Sequence, residues 1–206
     1  ENYTQSQLNE YEIIIDMRLN NDTGSSTEQT LLENWMKDSG SDLWIKIYGE
    51  RCCSANGQNS TITSRTNQFL ANVGAQITVS GLKDQDSGVN QGGIVDAGLF
   101  GSGNFFEGLN GFRIDPSGMA PRLSSIKDLS GNDIGQLLFN KSGNTNEANL
   151  YAAGYIRANE LESGVNSDIF LYGDINGVGG SSGYDNSSDN RAIGNWLLDQ
   201  ATSTSY

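Results

Sequence analysis

The sequence predicts a mainly β protein: an antiparallel sheet or sandwich with two short helices, near residues 27–38 and 189–200, and long glycine-rich loops. Three observations predict it. Five runs, at 11–19, 42–48, 75–82, 150–158 and 169–175, alternate residue types with a period of two, the signature of a strand with one drier face. Only 35% of the 206 residues are apolar while glycine alone numbers 26, which suits tight turns better than a helical bundle. Helical periodicity is confined to the two short stretches. The length fits a single domain, 1–206, with an N-terminal β-α-β unit in 1–50 packed on a β-rich remainder, 51–206.

The first run, YEIIIDMRL, sets Tyr11, Ile13, Ile15, Met17 and Leu19 on one face and Glu12, Asp16 and Arg18 on the other. Asn20 to Gly24 supply a turn. A helix follows, with Ser26 and Gln29 at capping-box spacing, Glu28 at the positive end of the dipole and Lys37 near the negative end. Its apolar stripe is Leu31, Leu32, Trp35 and Met36, and Gly40 suits its stop. In DLWIKIY, Leu43, Ile45 and Ile47 oppose Trp44, Lys46 and Tyr48. Strand, helix and strand read as one unit, both strands in one sheet and the helix covering a face.

Residues 54–68 read as a polar loop with a short strand at Ile62. In AQITVSGL, Ala75, Ile77 and Val79 point inward. Between Gly88 and Gly111, glycines recur around the apolar islands Ile94–Val95, Leu99–Phe100 and Phe105–Phe106, as an ordered loop or short strands at bends. Brief strands follow at Phe112–Ile114 and Leu137–Phe139. The tail helix carries Ile193, Trp196 and Leu197, with Gly194 weakening it.

The chain is organised around Asn146 to Asn176. Leu150, Ala152, Gly154, Ile156 and Ala158 share one strand face and Tyr151, Tyr155, Arg157 and Asn159 the other. In the second strand Ile169, Leu171 and Ile175 oppose Phe170, Tyr172 and Asp174. The run NLYAAGYIRANELESG resembles the short strand units, L-x-x-x-G-x-I-x-A-x-x-L, of bacteriophage tail-fibre and related virion structural proteins. That resemblance implies a symmetric, often trimeric, assembly and no catalytic apparatus. Small residues on one face let another backbone approach, and tyrosines with a polar tip suit contacts. The expected interface is therefore Tyr151, Gly154, Tyr155, Ile156 and Tyr172.

The formal charge is −13 with no histidine. An acidic surface repels phosphate backbones, so nucleic acid is not an expected partner. No run reaches the roughly 18 apolar residues of a membrane helix, no signal peptide is read, and the chain begins at Glu1, as a processed product or an excised segment would. Without histidine there is no Ser-His-Asp triad, no Cys-His pair and no histidine-bearing zinc site. Cys52 and Cys53 are adjacent, so an ordinary loop-closing bridge is excluded. Two shielded thiols, an interchain bridge and a strained redox pair remain open.

The glycine-rich stretch lacks the GxxxxGK[ST] pattern, and no basic residue lies between Lys83 and Arg113 to meet a phosphate. DINGVGGSSGYD, 174–185, resembles the calcium loop of EF-hands and dockerins, with Asp174, Asn176, Gly179, Ser182 and Asp185 at loop positions for oxygen ligands and the turn. Val178 stands where an oxygen belongs, so the expectation is no cofactor, with calcium as the alternative. Glu107, among aromatics and glycines, is a candidate raised carboxyl group. Five N-x-[ST] sequons occur, at Asn2, Asn21, Asn59, Asn140 and Asn186, and a chain so rich in Asn, Ser and Thr brings several by chance, so they neither indicate nor exclude glycosylation.

The expected function is a non-enzymatic structural or adhesive subunit, virion or extracellular, with copies of itself and other structural subunits as partners. The alternatives are a carbohydrate-binding module reading host surface glycans through Trp44, Tyr48, Tyr151, Tyr155 and Tyr172, and a glycan-cleaving hydrolase using paired carboxylates.

Overall fold

A computed structural model describes residues 3–16, 25–47, 58–75, 77, 79–80, 93–94, 113–114, 122–123, 136–139, 151–172 and 199. In chain order the elements are α1 (Gln5–Leu8), β1 (Ile13–Asp16), α2 (Ser26–Met36), β2 (Leu43–Ile47), α3 (Gln58–Asn72), β3 (Val79–Ser80), β4 (Gly93–Ile94), β5 (Arg113–Ile114), β6 (Arg122–Leu123), β7 (Gln136–Phe139), β8 (Tyr151–Ile156) and β9 (Asp168–Tyr172). The central sheet runs β1-β2-β9-β8, extended beyond β8 by β6, β3 and β7, while β4 and β5 pair separately.

The sheet is mixed. β1, β2 and β9 are mutually parallel, and β8 joins β9 antiparallel. The expected antiparallel pairing holds among β9, β8, β7, β6 and β3, whereas β1, β2 and β9 pair in parallel, and the reason lies in the connection. α2 crosses from the end of β1 to the start of β2, and a crossover helix returns the chain to the same end of the sheet. The β-α-β unit of residues 1–50 thus forms as the sequence indicates, and β2 continues its sheet directly into β9.

Every residue of β2 is buried, Leu43 through Ile47. The run LWIKI therefore has no wet face, as expected for a strand inside a parallel sheet. On one side Ile14, Trp44, Ile169 and Ile156 form a row across four strands. Leu32, Trp35 and Met36 of α2, with Phe69, Leu70 and Val73 next to or within α3, complete that core. The Trp44 and Phe69 rings meet at 4.6 Å, tilted by 59°. Burying a tryptophan contributes on the order of 4–6 kcal/mol of transfer free energy. Leu43, Ile45, Ile47 and Phe170, on the opposite side, are buried as well.

β1 presents the reverse of the expected face. Tyr11 and Ile15 are exposed, at 60% and 51%. Ile14 packs against the core and Asp16 is buried. Register is the cause: pairing Ile14 with Trp44 and Asp16 with Lys46 turns the even-numbered residues under the helices. Residues 17–19 of the expected strand lie outside the described residues.

The N-cap of α2 is Ser25, one residue earlier than expected. Ser25 Oγ accepts the Glu28 N–H at 3.2 Å, and Glu28 Oε2 accepts the Ser25 N–H at 2.6 Å. An ionised carboxylate at the helix N-terminus gains from the dipole, which Gln29 could not. Gln29 Nε2 donates instead to the Arg65 carbonyl of α3, 3.3 Å away. A further one-turn helix, α1, closes with its own capping box between Thr4 and Gln7.

α3 corrects the loop expected at 54–68, with its short strand at Ile62, from residue 58 onward; residues 54–57 lie outside the described residues. Thr66, Phe69, Leu70 and Val73 recur at helical spacing and are all buried, so packing overrides a polar, Ser/Thr/Asn-rich composition. The helix ends in a Schellman turn. The Gly74 N–H donates to the Ala71 carbonyl at 3.1 Å and the Ala75 N–H to the Leu70 carbonyl at 2.8 Å. Gly74 takes φ +85, the left-handed conformation this turn demands. Ala75, expected to open a strand, is the last residue of that cap, and β3 begins only at Val79. Of the expected tail helix at 189–200, only Asp199 is described, and it is helical.

Candidate functional site

The segment singled out by its tyrosines and small residues folds as β8, a connecting loop and β9. Gly154 pairs with Leu171, Tyr155 with Phe170 and Ile156 with Ile169. Gly154, Tyr155 and Ile156 are all buried, Tyr155 to 8% exposure and Ile156 completely. A single copy of the chain already encloses these three, so their packing calls for no second subunit. Tyr151 and Tyr172 lie in the same strands, paired with Leu123 and Phe139 and with Ala153 and Ile47 respectively, and are described in backbone only.

Asp168 is the polar centre of the segment. Its Oδ2 accepts the Tyr155 hydroxyl and its Oδ1 accepts the Ala158 N–H at 2.7 Å. Its own N–H donates to the Asp42 carbonyl at 2.7 Å, at the start of β2. One residue thus ties together β8, the following turn and β2. Partial burial raises the Asp168 pKa above the ordinary carboxylate value, and Asp42 pushes the same way. The Tyr155 and Ala158 hydrogen bonds and Arg157 oppose that rise. Tyr155 is held far above the usual phenol range, first by burial, then by its hydrogen bond to Asp168 and by that carboxylate's charge. Through these bonds the Tyr155 phenol and the Asp168 carboxyl group latch β8 to β9.

The loop between the strands performs a second task. A 3-10 turn at Ala158–Glu160 is closed by Glu160 Oε2, which accepts the Arg157 N–H at 3.0 Å. Glu162 N–H donates to the Val73 carbonyl at 3.0 Å, and Asn166 N–H to the Met36 carbonyl at 2.8 Å. Asn166 Nδ2 adds the Lys37 carbonyl at 3.0 Å. Helix C-termini leave carbonyls without intrahelical partners, and this one loop supplies donors to the ends of both α2 and α3.

A buried ion pair lies at the carboxyl ends of the parallel strands. Lys46 Nζ stands 3.1 Å from Asp16 Oδ1, with side-chain exposures of 6% and 7%. Ligands of open α/β sheets gather beyond strand carboxyl ends, and the segments that follow β1, β2 and β9 lie outside the described residues.

Two aromatics proposed for sugar stacking are unavailable to a ligand in this fold: Trp44 is 2% exposed and Tyr155 8%. Tyr48, Glu107, Cys52, Cys53 and the calcium-like loop 174–185 lie outside the described residues. Among the described residues there is no cluster of metal-ligating side chains, and no helix is long and apolar enough to cross a membrane. Asp168 and the Asp16–Lys46 pair escaped sequence reasoning. The usable signal was a single charge inside each of two apolar runs, IIID and LWIKI, within one β-α-β unit. Lone charges buried in adjacent strands must find each other. No protein-family model, curated protein or solved structure matches this chain.

Proposed function

We propose that the chain is a non-enzymatic structural or adhesive subunit of a virion, as a tail or fibre component, or of another extracellular assembly. The observation that carries this reading is how its fibre-like run is used. The polar groups of Tyr155, Ala158 and Asp168 are engaged with one another, and the loop that follows β8 holds the ends of two helices. The run acts as scaffold. In this reading copies of the chain and other structural subunits are its partners, the segment 146–176 approaches a subunit contact, and the remaining sequence adds further β structure around the mixed sheet.

Immunogold electron microscopy of the native source, with antibody against the chain, tests this. Label at regular sites on a particle or filament is expected. Label confined to free protein, together with a monomer in light scattering at high concentration, would overturn it. A glycan-binding role would have to rest on Tyr48, Tyr151 and Tyr172, and a glycan array reads it directly. Release of reducing sugar from host polysaccharide would establish the hydrolase instead.

A further inference from the structure

β1 forms one edge of the central sheet, and among the described residues no strand pairs with its outer side. The Glu12 carbonyl accepts from the Asp42 and Leu43 N–H groups at 2.8 and 3.3 Å. Backbone groups alternate in direction along a strand, so the register from Ile13↔Leu43 to Asp16↔Lys46 turns the N–H and C=O of Ile14 inward, toward β2, and those of Ile13 and Ile15 outward. Two large apolar side chains, Tyr11 and Ile15, stand exposed along that edge at 60% and 51%. Soluble proteins usually blunt such an edge with lysine, proline or a bulge. Here residues 1–17 contain neither lysine, arginine nor proline. The charges on the approach to the edge, Glu10 and Glu12, are both acidic and both exposed, and Arg18 beyond it lies outside the described residues.

We propose that the outer edge of β1 takes up an extended segment of a different protein by strand addition. That segment alternates apolar residues, set beside Ile13 and Ile15, with lysine or arginine set beside Glu12. Main-chain bonds to Ile13 and Ile15 supply affinity, and the side chains select the partner. Charge decides against a second copy. It would bring another −13 and set exposed Glu10 and Glu12 of one edge near those of the other, and like charges across a sheet weaken it. The inference stands independently of the assembly reading, since it rests on the edge and its charge alone.

Amide hydrogen exchange of the full chain, alone and with a short acetylated peptide alternating valine and lysine, tests it. The expected result is slower exchange at Ile13 and Ile15 with the lysine peptide, reversed by salt, and no change with a valine–glutamate control. Ile13→Pro removes an outward N–H and should abolish the effect. Ile15→Lys places a like charge on the edge and should weaken lysine-peptide binding roughly threefold or more. The amides of β2 report that either variant is folded, and if Ile13→Pro is not, Ile15→Lys decides. Unchanged exchange at saturating lysine peptide, equal protection by both peptides, or wild-type binding by Ile15→Lys would each overturn the proposal. Protection that grows with protein concentration and no peptide would identify a second copy as the occupant and overturn it too.

Discussion

The Tyr155 hydroxyl donates to Asp168 across the β8–β9 pair, two residues along from Phe170, which Tyr155 directly faces. Removing that hydroxyl leaves a partly buried carboxylate oxygen without this donor. Tyr155→Phe should therefore cost about 1–3 kcal/mol, read as a lower urea midpoint with an unchanged slope. Tyr155→Asp should do worse, because it buries a second carboxyl group beside Asp168. Loss of the folded monomer, rather than selective loss of assembly, is the expected outcome in circular dichroism. A folded Tyr155→Asp monomer would show that β8 opens easily.

The raised pKa of Asp168 gives a pH signature. The folded state binds this proton more tightly than the unfolded chain does. The associated stability is fully present below the unfolded carboxylate pKa and is lost as pH rises through the folded value. Asp168→Asn removes the titration but keeps an acceptor for the Ala158 N–H and an amide donor for the Tyr155 oxygen. Urea midpoints measured between about pH 3 and pH 7 should show wild type losing stability relative to Asp168→Asn as pH increases. A difference that stays flat would place Asp168 at an ordinary pKa.

Gly74 and Gly164 both adopt positive φ, +85 and +92, yet their surroundings differ. A Cβ at Gly74 would meet the Glu162 backbone nitrogen at 2.6 Å, whereas one at Gly164 meets nothing within 4 Å. Gly164→Ala should cost only the backbone term, about 1 kcal/mol. Gly74→Ala adds a steric conflict with the backbone that hydrogen-bonds Val73, and should cost roughly 3 kcal/mol or more. Thermal melts of the two variants, side by side, separate strain from collision.

Lys46→Met takes away the cation 3.1 Å from buried Asp16. Breaking one side of a buried pair typically costs about 3–5 kcal/mol, while replacing both partners with apolar residues is often neutral. The double variant Asp16→Leu, Lys46→Met should thus be more stable than Lys46→Met alone. A double variant as unstable as the single one would mean that packing, not charge, sets the loss.

Sequence made the β-α-β unit and the β8–β9 segment legible because their patterns are local. YEIIIDMRL and DLWIKIY declare strands, and Leu32, Trp35 and Met36 declare the helix between them. What failed was what register and covering layers decide. Nothing in IIID states that Ile14 rather than Ile15 faces the core, since that follows from its neighbour Trp44. α3 was hidden by its composition, although Thr66, Phe69, Leu70, Val73 and the stop at Gly74 spell a helix end. The Asp168 latch joins residues 13 and 10 positions apart, and only the folded hairpin brings them together.

Trp35 offers the sharpest test of the core. It is completely buried in the cluster between α2, α3 and the sheet. Its Nε1 donates to the Tyr11 carbonyl at 2.8 Å, anchoring the approach to β1. Two contributions can be separated by substitution. Trp35→Phe keeps most of the packing and loses the anchor, which should cost about 1–2 kcal/mol. Trp35→Ala loses both and opens a cavity, at roughly 3–5 kcal/mol. Because the indole N–H holds Tyr11, each variant should also speed amide exchange at Tyr11 and Ile14, whose N–H groups are bonded to Leu8 and turned toward β2, while β9 stays protected in Trp35→Phe. If Trp35→Phe left exchange near β1 unchanged, the hydrogen bond would not be what sets the edge strand in place, and the register of β1 on β2 would have to be secured by Ile14 alone.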